Sequence, residues 1–177
     1  AGYSAGMRIE SLSIVPMLAM GNAMSTFTAQ NMGAGKIDRV KEGYRMCYVI
    51  VLTAGAGLCV MYQLAGGAFV SLFLDSGSSE AYSVGLSYVK FLSFFYSFIG
   101  LKASTDGLLR GAGDVTAFTV ANLVNLAIRV SVTNLFAPIY GIQVAWMAVP
   151  LGWAANYVIS FGWYLTGKWK KVRVIKK

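Results

Sequence analysis

Five long apolar stretches, joined by short loops, fill nearly all of this 177-residue chain, and that pattern decides what it can fold into. They cover residues 12–29, 46–74, 81–109, 115–137 and 139–165. A bilayer core about 30 Å thick takes roughly 20 helical residues to cross, and each stretch meets or approaches that length. In lipid every backbone polar group must be satisfied within the segment, so helices are the natural structure. Composition agrees: 56% of residues are hydrophobic and 12% charged, against roughly 25% charged in an average soluble domain. The expected fold is an all-α polytopic membrane protein with about five spans, near 8–31, 45–74, 81–109, 115–137 and 139–166. Residues 1–167 form the helical lobe and 168–177 a basic tail.

The net charge of +8 would suit nucleic acid, but its placement argues otherwise. Lys36, Arg39, Lys41 and Arg45 crowd the first loop, and Arg110 sits in the third. Lys168, Lys170, Lys171, Arg173, Lys176 and Lys177 form the tail. The second loop, residues 75–80, and the fourth, 137–141, hold no basic residue. This alternation is the positive-inside pattern, and it puts the first loop, third loop and tail in the cytoplasm. The charge then serves topology and contact with anionic membrane lipids, and no nucleic acid is expected as a partner. The chain opens at Ala1-Gly2-Tyr3 and enters its first helix almost at once, as a piece of a larger protein would. No basic start followed by a small-residue cleavage site marks a signal peptide.

Several catalytic chemistries find no residues here. There is no histidine, so triads and His-ligated metals are excluded, and no phosphate-binding GxxxxGK[ST] loop occurs. Cys47 and Cys59 would lie about 18 Å apart along one helix at 1.5 Å per residue, too far for a disulfide. No enzyme activity, metal or cofactor is expected.

Function must therefore be read from polar residues inside the spans. In the first, Pro16 removes one helical hydrogen bond and is expected to kink the helix. Met17, Met20, Met24 and Phe27 share one face. Ser11, Asn22, Ser25 and Ala29 share the opposite one, either a small-residue packing seam or the wall of a wet cavity. Gly33 and Gly35 can supply the positive φ that ends the helix, and Asp38 can cap a short surface helix. In the third span Lys90, Ser93, Ser97, Gly100 and Ser104 line one face, a candidate water-lined stripe. Lys102 and Asp106, at i and i+4, fit a local ion pair near the cytoplasmic end. Residues Arg110-Gly111-Ala112-Gly113-Asp114 read as a tight turn, with Asp114 at the favourable N-terminal end of the next helix. That helix carries Asn122, Asn125, Arg129 and Thr133 on one stripe. Arg129 cannot lose its proton and must meet an acid, carbonyls or water. A buried structural network and a pathway lining both fit.

Together these segments resemble the multidrug and toxic-compound extrusion (MATE) family. The likeness rests on Arg8-Ile9-Glu10-Ser11 through Pro16, and on Ser25-Thr26-Phe27-Thr28-Ala29-Gln30-Asn31-Met32-Gly33-Ala34-Gly35-Lys36. It continues through Leu109-Arg110-Gly111-Ala112-Gly113-Asp114, Arg129-Val130, Pro150-Leu151-Gly152-Trp153 and Gly167-Lys168-Trp169-Lys170. The resemblance implies twelve helices in two lobes, with this chain supplying helices eight to twelve. It implies exchange of Na⁺ or H⁺ for organic, often cationic, compounds by alternating access at the plasma membrane. The missing N-terminal lobe is then a partner, and small organic compounds are the substrates. Some members carry a coupling acid about eleven positions before the Arg-Gly turn. Ile99 stands there, so the coupling ion is expected to bind mainly outside this segment. Glu10, Asn22, Lys90, Ser97, Asn122, Asn125 and Arg129 are the pathway candidates. A lipid or oligosaccharide flippase and a non-transporting membrane assembly module are the alternatives.

Overall fold

The computed structural model describes residues 2–74, 79–141 and 143–171. Six α-helices follow one another, with no strand among the described residues. They are α1 (Gly2–Gly33), α2 (Ile37–Ser71), α3 (Ser79–Ser93), α4 (Tyr96–Gly111), α5 (Val115–Tyr140) and α6 (Gln143–Thr166), followed by a 3₁₀ turn at Lys168–Lys171. Helices α1, α2, α5 and α6 are each long and apolar enough to cross a membrane, and α3 with α4 makes a fifth, bent span. This is an all-α polytopic membrane architecture. Leu12, Val49, Leu64, Leu123, Leu126 and Leu135 stay exposed on the outside of the bundle, where hydrocarbon, unlike water, exacts no cost for them.

The third span is not the single helix expected over 81–109; it breaks at Phe94–Phe95 and turns by 51°. Neither proline nor glycine stands at the break. The side chain of Gln63, reaching over from α2, donates to the Lys90 carbonyl at 2.9 Å and to Ser93 Oγ at 3.0 Å. Ser93 Oγ itself donates to that carbonyl at 2.7 Å, and Phe95 N closes a tighter bond to Leu92 O. Side chains inserted into the i→i−4 ladder bend a helix in this way.

Other boundaries also shift. α1 runs unbroken through Pro16. Of the two glycines expected to end it, Gly35 takes the positive φ (+70°) and Gly33 stays helical. Asp38 caps no separate surface helix: it lies in the first turn of the long α2, paired with Lys41 at 2.7 Å. The third turn begins later than expected, because Arg110 and Gly111 still belong to α4 and Gly113 (φ +83°) reverses the chain. Asp114 does cap α5, accepting from Ala117 N at 3.4 Å, while its other oxygen accepts from Trp163 Nε1 at 2.7 Å. α5 passes through Pro138 and stops at Gly141 (φ +80°), so the last span starts at Gln143 rather than Ile139. Glycine, free to adopt positive φ, sets that end. Residues Asp75-Ser76-Gly77-Ser78, Ile142 and those beyond Lys171 lie outside the described residues.

Two seams hold the bundle. Along the first, α1 lies so close on α4 that Gly21 faces the Ala103 and Gly107 backbone, and Gly111 faces Ser25 and Thr28. Such close backbone approach is the usual way of joining helices where lipid supplies no hydrophobic drive. Met17 and Met24 are buried beside this seam. Along the second, the row Lys90–Ser104 packs on α2. Ser93 Oγ lies 3.8 Å from Cys59 Sγ, Ser97 lies on Gly55, Gly100 on Val51, and Ser104 pairs with Cys47 at 3.1 Å. The stripe expected to line water is instead a helix–helix contact. Toward the C-terminal end of α6, Tyr157, Phe161, Tyr164 and Trp169 stack in a continuous ladder with centroids 5.4, 5.9 and 5.7 Å apart. Trp169 is fully buried and donates to Tyr164 O at 3.1 Å.

Candidate functional site

The most connected polar group in the bundle centres on Asp106, near the end of α4. Its Oδ2 accepts from Lys102 Nζ at 2.9 Å and from Asn122 Nδ2 of α5 at 3.2 Å. Its Oδ1 accepts from Ser160 Oγ of α6 at 2.6 Å. Lys102 also donates to Asn122 Oδ1 at 3.1 Å, so lysine, aspartate and asparagine close a ring. The Asp106 side chain is only 6% exposed and that of Lys102 14%. Asn156, one turn before Ser160, is fully buried. Three helices thus converge on one carboxylate, each contributing a neutral or cationic donor. A charge this deep stands only when paired and hydrogen-bonded, and here both conditions are met.

The network forms the floor of a cleft of about 280 Å³ between α1, α4 and α5. Leu18, Gly21 and Asn22 make one wall, Phe118 and Asn122 another, and Lys102, Asp106 and Arg110 the polar base. The volume is far more than the roughly 10–15 Å³ a single water needs. Arg110 is held at the rim: Nη2 donates to Asn22 Oδ1 at 2.8 Å and Nε to Ser25 Oγ at 3.4 Å. Its guanidinium lies 5.6 Å from the Phe118 ring centre.

The candidate residues therefore separate. Asn22 and Asn122 meet at this cleft. Asn125 and Arg129 turn instead toward α6, packed against Gly152, with Asn125 Oδ1 buried and without a partner among the described residues. Arg129 is exposed on the bundle's surface. Glu10 lies elsewhere, accepting from the Tyr88 hydroxyl. Lys90 and Ser97 belong to the α2 seam: Lys90 lies over Gly66 and Ser97 over Gly55. No group of acids, cysteines or histidines able to hold a metal occurs among the described residues.

Sequence reasoning reads Lys102–Asp106 as a local pair and misses that it anchors three helices. It passes over Asn156 and Ser160 altogether. The signal is present: Gly152, Asn156 and Ser160 recur at i, i+4 and i+8 on an otherwise apolar helix, the same kind of pattern that draws attention to α5.

Comparison with known proteins agrees with this architecture. The chain is 27% identical over 175 residues to the probable multidrug resistance protein YpnP of Bacillus subtilis, covering 98% of this chain and 39% of that protein. It is 22% identical over 186 residues to the probable multidrug resistance protein NorM of Thermotoga maritima, covering 100% and 38%. A third relative, the probable multidrug resistance protein YoeA of B. subtilis, is 22% identical over 179 residues, covering 99% and 38%. The chain thus spans about two-fifths of the length of these relatives. No solved structure matches it. The MatE family model matches residues 1–149, and the chain belongs to that family.

Proposed function

We propose that this chain is the helix eight to twelve portion of a secondary active multidrug efflux transporter, which exchanges Na⁺ or H⁺ for organic, often cationic, compounds by alternating access. The family match along residues 1–149 carries this reading, and relatives named for multidrug resistance support it. The missing lobe supplies the other wall of the substrate path, and coupling acids belong mainly to that part. The buried carboxylate network of α4, α5 and α6 gives this lobe a rigid polar centre for a rocking motion. Such motion is how lobes around a midplane site work in many transporters.

The test is dye efflux in vesicles holding the full-length transporter that carries this segment, with imposed Na⁺ or H⁺ gradients and no nucleotide. Gradient-driven export is expected. Export that requires ATP and ignores both gradients rules the reading out.

The same protein, in the plasma membrane, is expected to keep Lys41 and Lys170 in the cytoplasm and Ser78 outside. The basic clusters around the first two positions motivate this. Cysteines placed at Lys41 and Lys170 should react with an impermeant thiol reagent only after the cells are opened, and one at Ser78 should react in intact cells. The reverse pattern refutes the orientation.

A further inference from the structure

The cleft at the Lys102–Asp106–Asn122 ring has a charge that the ring does not consume. Three charged side chains line it: Lys102, Asp106 and Arg110. Asp106 balances Lys102 at 2.9 Å. Arg110 has only neutral partners among the described residues, the Asn22 amide oxygen, the Ser25 hydroxyl and the Phe118 ring. The cleft therefore carries one net positive charge. A guanidinium presents five N–H donors in a planar fork, the Asn22 and Ser25 contacts use two of them, and the residue lines the cleft. Lys102 and Arg110 stand on the same helix on either side of Asp106, and both cations line the same space.

We infer that this cleft binds a phosphate group, with Arg110, whose charge no carboxylate in the cleft offsets, as its principal contact. Fork geometry matched to phosphate oxygens is the reason arginine is favoured for such recognition. Asn22 and Ser25 hold the guanidinium in place, so little side-chain freedom remains to be lost on binding. Leu18 and Phe118 make the adjoining walls apolar, which accommodates whatever carbon skeleton the phosphate carries. A lipid headgroup and a soluble phosphate share this chemistry. The inference does not depend on the efflux reading, since binding is an equilibrium property measured without any gradient.

The experiment uses the full-length transporter in phosphatidylcholine nanodiscs. One arm adds phosphatidylglycerol to the nanodiscs and counts retained lipid by native mass spectrometry; the other titrates inorganic phosphate and reads bound phosphate by equilibrium dialysis. Saturable binding in the first arm alone assigns the site to a headgroup, and in the second to a soluble phosphate. Arg110→Gln should weaken whichever binding occurs by roughly tenfold or more, the scale of one lost charge-assisted hydrogen bond. Arg110→Lys, which keeps the charge without the fork, should retain part of it and guards against misfolding as the cause. Gly57→Ala, which removes no charge and lies away from the cleft on α2, should leave it unchanged. Absence of saturable binding in both arms overturns the proposal, as does binding that Arg110→Gln leaves intact.

Discussion

Asp106→Ala is expected to be among the most destabilising single changes in this lobe, costing about 3–5 kcal/mol, the range for removing one partner of a buried ion pair. The carboxylate accepts from Lys102, Asn122 and Ser160 at 2.6–3.2 Å, so its loss strands donors on α4, α5 and α6 together. The larger part of the cost comes from Lys102, whose ammonium would remain buried with only Asn122 Oδ1 to receive it. A control separates charge from packing. The pair Lys102→Met with Asp106→Leu removes both charges while keeping bulk, and should recover much of the loss, because no uncompensated ion remains. Denaturant or thermal unfolding of the purified full-length transporter measures both. Equal destabilisation by the single and double variants would show that stranded charge is not the cause.

Gly107→Val should open the α1–α4 seam. A β-carbon at Gly107 runs into the carbonyl of Gly21 and comes within 3.2 Å of its Cα, and a β-carbon at Gly21 comes within 2.6 Å of Ala103 O. These obstacles are backbone atoms, which cannot swing aside as a side chain would. Overpacking ordinarily costs about 1–3 kcal/mol, and here the only relief is to move two whole helices apart, so the effect should lie at or above that range. Gly57 and Gly162 are the matched controls. Both are helical, and a β-carbon added at either would meet nothing within 4 Å. Alanine there should therefore be neutral or stabilising by up to about 1 kcal/mol through helix propensity. Folded yield and melting temperature across the three glycines give the comparison. A Gly107 variant no worse than the Gly57 variant would contradict the seam.

The periodic part of this fold is open to reading from the chain alone. Apolar runs locate the spans, and polar residues at helical spacing mark Asn122, Asn125 and Arg129 as one stripe. What escapes is what depends on a second helix. The bend at Phe94–Phe95 needs Gln63 of α2 to reach the Lys90 carbonyl, and nothing within the third span announces it. Lys102 and Asp106 are visible as an i, i+4 pair, yet only the approach of Asn122 and Ser160 makes Asp106 a hub. Glycines are ambiguous for the same reason: Gly35 and Gly113 turn the chain, whereas Gly107 and Gly111 admit a neighbouring backbone.

The aromatic ladder that ends in Trp169 changes what the basic end of the chain is mechanically. With its indole sunk between Tyr164 and the bundle, the Lys168–Lys171 turn is a stopper seated in the mouth of the helices, not a loose tether. Its lysines ride with α6 as one rigid lever. The ladder joins this turn, ring by ring, to Tyr157, whose hydroxyl accepts from Tyr48 of α2 at 3.2 Å.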